Sequence, residues 1–173
     1  MASTFSKLCA QLSQHLVPAL LSAGFTGPSR FHRGEIRYEF RRKVTDGTHV
    51  FSVLFDKYRR PVFSVQLFVE PLAGIDGLVS RGGTLIVGNL APFYRSWPFR
   101  WPVFRAERPK WQRLFLGRES TESRAVQRCI DLLPEVETWW GKQVSSRHII
   151  AGRVVYRGVS DGAKPPVAPD GDG

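Results

Sequence analysis

The sequence predicts an α+β fold: a mainly antiparallel four- to five-stranded sheet with an N-terminal and a C-terminal helix packed on one face. Three runs of alternating apolar residues between positions 35 and 69 predict three strands. The Asp46-Gly47 pair between the first two runs indicates a hairpin, because glycine tolerates the backbone angles of tight turns. One-sided apolar stripes near each end of the chain predict the helices. We therefore expect one sheet face to be buried beneath two helices.

The N-terminal helix is predicted over Thr4–Ser22, because apolar side chains recur there at three- and four-residue spacings. Ser3 or Thr4 can cap its start through a side-chain oxygen. Gly24 can end it in a left-handed conformation. Pro18 is expected to kink the helix or to separate its last turn.

The first strand has Ile36, Tyr38 and Phe40 on one face and charges of alternating sign on the other, which predicts a solvated second face. The two strands that follow show the same alternation, with an apolar residue at every second position. A glycine-containing loop is expected at Pro71–Gly83, and a fourth strand at Thr84–Val87.

Residues 91–108 interleave aromatic side chains with prolines and arginines. Proline at this density is incompatible with a long helix and disfavours a central strand. We expect an ordered, extended loop that ends in an edge strand near Val103-Phe104. Pro109 suits the first position of a short helix through Leu116.

The last long helix is predicted to begin near Ser120 and to close at Trp139-Trp140. Adjacent helix positions differ by about 100°, so we expect one of these indoles in the core and its neighbour partly exposed. A last strand is predicted at Arg153–Arg157. The composition then predicts one domain over residues 1–157 and a disordered tail over residues 158–173.

The compartment is inferred from hydropathy and cysteine usage. No apolar run approaches the ~20 residues that a membrane helix needs, so no membrane partner is expected. Cys9 and Cys129 each fall on the apolar face of a predicted helix, where buried reduced thiols are expected. These features indicate a cytoplasmic protein.

The formal net charge of +10 is carried by residues 1–118. Such an excess favours an acidic partner, nucleic acid or anionic lipid, because the summed charge steers association. The competing explanation is compositional. Arginine greatly outnumbers lysine, as a GC-rich genome would produce, and the basic residues are mostly scattered singly. Both explanations stay open at this point.

Common catalytic and cofactor motifs do not occur in the sequence. The four histidines lack zinc-like spacing, and there is neither a glycine-rich phosphate loop nor a nucleophile elbow. We therefore expect a protein without cofactor or metal that is not an enzyme. One enzymatic alternative stays open, because Asp56 and Glu70 end neighbouring strands and could converge near His49 as an acid–base site.

The aromatic–arginine segment, Tyr94–Arg108, is the strongest candidate binding surface. Tyrosine, tryptophan and arginine are enriched where protein interfaces concentrate their energy. Packing of the segment over the sheet as core is the alternative to an interface. The predicted partner-binding residues are Tyr94, Arg95, Trp97, Arg100, Trp101 and Arg105.

Binding of RNA or single-stranded DNA is the second functional hypothesis. Aromatic side chains can stack bases while arginine contacts phosphate. The basic residues at the two ends of the hairpins would contribute to this surface, and solvated turns are the alternative explanation for them: Arg41, Arg42, Lys43, Arg59 and Arg60.

The order of these pieces resembles a group of small, uncharacterised bacterial α+β proteins that are often encoded near secreted polymorphic toxins. The matching pieces cover about residues 4–142: Phe5–Leu20, Gly24-Phe25, Phe31-His32-Arg33, the runs at 35–69 and 84–87, and Trp139-Trp140. The resemblance implies a binding role of the immunity-protein or adaptor kind and supplies no catalytic residues. Immunity proteins against nucleases are typically acidic, whereas this chain is basic. The toxin implied is therefore acidic or not a nuclease.

Overall fold

A computed structural model describes residues 3–30, 37–92, 103–105 and 121–156. Its helices are α1 (Thr4–Gln11), α2 (Val17–Ser22), α3 (Gly74–Arg81), α4 (Thr121–Asp131) and α5 (Leu133–Lys142). A π-helical stretch, Leu12–Leu16, joins α1 to α2. The strands are β1 (Thr26–Arg30), β2 (Arg37–Val44), β3 (Gly47–Phe55), β4 (Val62–Pro71), β5 (Gly83–Leu90), β6 (Val103–Arg105) and β7 (Ile149–Tyr156).

The seven strands form one antiparallel sheet in the order β1-β2-β3-β4-β5-β7, with β6 also paired to β4. The predicted α+β class is confirmed, and the β2–β3 hairpin forms where predicted. Its two turn residues are Thr45 and Asp46 rather than the predicted Asp46-Gly47, because Gly47 already pairs with Val44. The sheet has more strands than the four or five predicted. The sequence of β1, Thr-Gly-Pro-Ser-Arg, has the composition of a turn, and its pairing with β2 makes it a strand.

The N-terminal helix is confirmed with its caps. The Ser3 hydroxyl accepts a hydrogen bond from the Ser6 backbone N–H at 3.1 Å. Gly24 ends α2 with φ of 83°, and the Phe25 N–H returns to the Leu20 carbonyl. Pro18 lies in the first turn of α2, where a proline needs no N–H, and the π-helical stretch precedes it. The helix is therefore interrupted just before the proline.

One face of the sheet carries the main core. The helix face is covered by α1, the π-helical stretch, α2, α4 and α5, whose buried side chains include Leu8, Leu12, Leu16 and Val126. Trp139 and Trp140 are only 2% and 4% exposed, so the prediction of one partly exposed indole is wrong. Trp139 packs over Gly88, while Trp140 packs against Phe25 and stacks on His49. The two adjacent indoles are thus buried by different sets of neighbours.

The opposite face, called here the open face, carries α3 and a smaller cluster. Val50, Phe68 and Leu85 are buried there, with Ile75 and Leu78 of α3 packed against them. The loop predicted at Pro71–Gly83 is therefore wrong over the span of α3. The Gly-Ile-Asp-Gly sequence has poor helix propensity, so packing of its apolar side on the sheet stabilises the helix.

The carboxylate of Glu135 holds the start of β7 against α5. It accepts hydrogen bonds from the Ser146 hydroxyl at 2.6 Å, the His148 N–H at 2.7 Å and His148 Nδ1 at 2.7 Å. Burial would raise the pKa of Glu135, but these three hydrogen bonds lower it below its ordinary value. β7 consequently begins at Ile149, before the predicted Arg153, and pairs with the whole of β5.

The described part of the chain contains no helix of the length and apolarity that crossing a membrane requires. Cys9 is half-buried and Cys129 is buried, and no disulfide joins them. Burial raises the pKa of the Cys129 thiol, so it is held in the protonated, unreactive form.

We expect Gly88→Ala to destabilise the protein by about 1–3 kcal/mol, because the added methyl group overpacks a filled core site. A Cβ there would lie 2.8 Å from Trp139 Cζ2 and 3.0 Å from Ile149 Cγ2. The matched control is Gly141→Ala in α5, where a Cβ meets nothing within 4 Å, and helix propensity there predicts a gain of up to about 1 kcal/mol. Equilibrium urea unfolding measures both. Equal effects of the two substitutions would contradict the steric explanation.

Candidate functional site

The structure describes one of the six predicted partner-binding residues. Arg105 is exposed at the end of β6, paired opposite Val62 of β4. This pairing confirms the edge strand predicted near Val103-Phe104, with Phe104 stacked on Phe63 in the core. The other five lie outside the described residues: Tyr94, Arg95, Trp97, Arg100 and Trp101. The short helix predicted at Pro109–Leu116 and the tail after residue 157 lie outside them as well.

The run Arg41-Arg42-Lys43 is divided between the two faces of the sheet, because successive strand residues point in opposite directions. Arg42 lies on the helix face, and Arg41 and Lys43 lie on the open face. Arg59 and Arg60 lie beyond the opposite end of the β3–β4 pair. Arg42 pairs with His49, and the strand from His49 to Phe55 alone spans about 20 Å at the rise of an extended strand. The five basic residues therefore do not form one surface.

Arg41 is engaged by two carboxylates on the open face. Its Nε lies 2.7 Å from Glu39 Oε1, and its Nη1 lies 2.7 Å from Glu70 Oε2. Burial lowers the pKa of Arg41, but the two carboxylates together raise it above its ordinary value. Glu39 is only 3% exposed and also lies near Arg37 and Ser52, so the prediction of a solvated charged face is wrong at this position. The two carboxylates therefore offset part of the charge of Arg41, whose side chain stays 41% exposed.

Arg42 is held in a cage on the helix face. Its guanidinium binds both carboxylate oxygens of Glu137, at 3.0 and 2.6 Å, and donates to the Ala23 carbonyl at 2.8 Å. It also lies 4.6 Å from the centre of the Phe25 ring and 5.2 Å from that of Trp140. Arg42 is therefore a structural residue that joins β2 to α5.

The acid–base site considered from the sequence does not form. In the antiparallel β3–β4 pair Thr48 lies opposite Glu70, so Asp56 and Glu70 occupy opposite ends of the pair. His49 points to the helix face, where it stacks on Trp140, and Glu70 points to the open face. The three side chains cannot act on one substrate.

The turn between β3 and β4 presents a cationic and aromatic surface, called here the basic tip and comprising residues 57–60. Tyr58 is 69% exposed, one of the most exposed large side chains in the described part of the chain. The ammonium of Lys57 lies 4.8 Å from the centre of its ring, and the guanidinium of Arg60 lies 5.7 Å from it. Arg59 is exposed at the same turn.

Asp56 organises the basic tip. Its carboxylate accepts the Tyr58 N–H at 2.8 Å and forms an ion pair with Arg60. Its carbonyl accepts the Arg59 N–H at 2.9 Å, and Arg59 has a left-handed φ of 54°. The hydrogen bond from Arg60 is the main cause of a lowered pKa at Asp56. Contacts within the turn thus fix the backbone of the basic tip.

Arg105 extends the basic tip along the sheet edge. Val62, its partner in β4, follows Arg60 by two residues, and the Val62 N–H donates to the Arg60 carbonyl at 2.7 Å. One residue of the predicted partner-binding set and two of the predicted nucleic-acid set therefore lie at the same end of the molecule. An exposed ring surrounded by cations can pack against an apolar spot while the cations contact carboxylates or phosphates.

One buried polar cluster was missed from the sequence. Glu135 and His148 are 13 residues apart and belong to no spacing motif, and only the packing of β7 on α5 brings them together. Arg128 Nη2 lies 3.4 Å from His148 Nε2, which indicates that Nδ1 carries the ring proton donated to Glu135. Among the described residues no group of three His, Cys, Asp or Glu side chains could hold a metal ion.

We expect the contribution of His49 to stability to depend on pH. Burial lowers its pKa, and the adjacent Arg42 guanidinium lowers it further, with smaller opposing effects of Asp46 and Glu137. The unfolded chain therefore binds a proton at a pH where the folded protein keeps His49 neutral. The stability advantage of wild type over His49→Gln should shrink as the pH falls through about 6.5. Urea unfolding across about pH 5–8 measures this difference, and a constant difference would contradict the assignment.

Comparison with known proteins found no similar protein: no protein-family model, no curated protein and no solved structure matches the chain.

Proposed function

We propose that this chain is a non-enzymatic cytoplasmic binding protein that engages an acidic protein partner through the basic tip. The observation that carries the proposal is Tyr58, which is exposed, flanked by Lys57 and Arg60, and set on a turn organised by Asp56. Large aromatic rings and arginines dominate the energy of protein interfaces.

Preorganisation supports a binding role for the tip. Association costs free energy when flexible groups become ordered, so a turn that already holds its backbone loses less on binding. The Asp56 carboxylate removes that cost from the tip by fixing the Tyr58 N–H and the Arg60 guanidinium together. Ordering the Tyr58 side chain adds only a small further entropy cost, because a tyrosine side chain has only two torsions to fix.

Charge supports an acidic partner. The carboxylates Glu39, Glu70 and Glu137 pair with Arg41 and Arg42 and offset part of the charge that these arginines present to a partner. The tip keeps Lys57 and Arg59 exposed, with no carboxylate partner among the described residues. An immunity-type inhibitor or adaptor of the bacterial cytoplasm would use this surface against an acidic toxin or another acidic protein.

Binding of RNA or single-stranded DNA is the second candidate, and the same exposed ring favours it. A base could stack on Tyr58 while Lys57, Arg59 and Arg105 contact the phosphates. The two candidates differ in their response to salt, because each phosphate contact releases counterions and makes nucleic-acid affinity fall steeply with ionic strength.

We expect Arg59→Glu and Tyr58→Ala to lose the protein partner, because they remove the charge and the aromatic ring that contact it. The matched control is Arg81→Glu on α3, which makes the same change in net charge at an exposed position. Each variant is used as bait in host lysate treated with nuclease, and captured proteins are quantified by mass spectrometry. Equal loss with Arg81→Glu would show that net charge alone drives capture.

The nucleic-acid arm uses a fluorescent single-stranded oligothymidine and an oligouridine. Affinity that depends on Tyr58 and falls at least tenfold between about 50 and 200 mM salt would assign the tip to nucleic acid and overturn the protein-partner proposal. Absence of oligonucleotide binding together with stoichiometric, nuclease-resistant capture of one protein would support it.

We expect Asp56→Ala to weaken partner binding although it makes the protein more basic. The substitution removes a negative charge, so attraction driven by net charge alone would increase. It also frees the Tyr58 N–H and the Arg60 guanidinium, which disorders the tip and adds a binding cost. The capture assay above, or titration with the partner it identifies, measures the direction. Tighter binding by Asp56→Ala would contradict preorganisation.

A further inference from the structure

The β7 strand is an exposed edge of the sheet. It is the terminal strand on its side among the described residues, and Gly152, Arg153, Val154 and Val155 are all exposed. Val154 and Val155 are 42% and 68% exposed, which is unusual for side chains that favour buried strands. An unpaired edge with such residues is a template for another strand.

The opposite edge of the sheet is protected. β1 contains Pro28, which has no N–H to donate, and its register with β2 shifts between Thr26 and Ser29. Proline and irregular pairing are common devices against strand addition. The contrast leaves β7 as the edge open to pairing.

Hydrogen bonds at the start of β7 show which residues point outward. The His148 carbonyl accepts the Ala91 N–H next to β5. The backbone N–H and C=O groups of the even-numbered residues of β7 therefore face β5 and pair with it. The backbone groups of the odd-numbered residues face away from β5: the Ile149 carbonyl accepts the Ser146 N–H, and the Ala151 N–H donates to the Ser145 hydroxyl. Beyond that point, Arg153 and Val155 present outward N–H and C=O groups that no described residue pairs.

We propose that two copies of this chain associate through antiparallel β7–β7 pairing, with Val154 on the two-fold axis. In this register Arg153 lies opposite the partner's Val155, and Val155 lies opposite the partner's Arg153. Two hydrogen-bonded pairs then satisfy every outward backbone group of Arg153 and Val155 in both copies. The two sheets join into one continuous sheet.

The side chains of β7 favour a second copy in this register. Val154 meets its own symmetry mate, and Gly152 lies opposite the partner's Tyr156, so an aromatic ring covers the exposed glycine. A symmetric register centred on Arg153 would instead place two guanidinium groups directly opposite one another, which is unfavourable. The sequence of β7 is thus complementary to itself in the register centred on Val154.

The short pairing predicts a weak, concentration-dependent dimer, because only residues 152–156 of each copy contribute. The first measurement is sedimentation equilibrium of the wild-type protein across micromolar to millimolar concentration. Reversible association that stops at the dimer supports the proposal. A protein that stays monomeric throughout, or that continues to larger assemblies, overturns it.

Cysteine crosslinking tests the register. Two-fold symmetry brings the Cα atoms of a Val154→Cys pair to about 4.5 Å, within the range of a disulfide. Cysteines from Val155→Cys would be displaced by two residues from each other, beyond that range. Under mild oxidation we expect the first variant to form a covalent dimer at least tenfold faster than the second. Equal rates overturn the register.

Charge substitution provides a second test on the same residues. Val155→Glu places a carboxylate opposite the partner's Arg153 twice per dimer and should tighten dimerisation roughly threefold to tenfold. Val155→Lys creates two like-charge pairs and should weaken it by a similar factor. Far-UV circular dichroism checks that both variants stay folded. The same effect from both substitutions overturns the proposed pairing.

Discussion

The guanidinium of Arg42 holds the two layers of the protein together. It lies beside the rings of Phe25 and Trp140, which also pack against each other, and binds Glu137, which is 95 residues away in sequence. It also donates to the Ala23 carbonyl at the turn between α2 and β1. The arginine therefore joins the N-terminal helical layer, the central hairpin and the last helix. Its planar group suits this role because it can stack and donate in two directions at once.

The alternation of β2 distributes charge between two environments. Arg42 points into the helix layer, and its neighbours in sequence point to the open face, where Arg41 engages Glu39 and Glu70. A carboxylate as buried as Glu39 is tolerated only because cations and a hydroxyl surround it. Ion pairs within the protein consequently offset much of the positive charge of β2. The chain's net charge of +10 is therefore a poor guide to the positive charge that this strand presents to a partner.

In the described part of the chain, two separate places on the sheet present groups that a partner could contact. The basic tip, between β3 and β4, offers a rigid aromatic ring among cations, and Arg105 reaches the same end through β6. The edge of β7 offers backbone groups and valines. The first is suited to recognition by charge and shape, the second to strand addition. Because the β7 edge and the tip are different surfaces, dimerisation and partner binding could proceed together.

The parts of the fold with local signals were predictable from the sequence. Alternation around Asp46-Gly47 specified the hairpin, and the apolar stripe with Ser3 and Gly24 specified the first helix with its caps. These predictions succeeded because side-chain periodicity and turn chemistry act over a few residues. The exposed basic turn after Asp56 was also visible, although the carboxylate that organises it was not.

Features that depend on partners distant in sequence became visible in the folded protein alone. β1 and α3 form in segments with turn-like or weakly helical composition, because pairing and packing supply the stabilisation that propensity lacks. The burial of both Trp139 and Trp140 required the slot at Gly88 and the stack on His49. The roles of Arg41 and Arg42 followed the same rule: the sequence showed their charge, and the fold decided which carboxylates neutralise it.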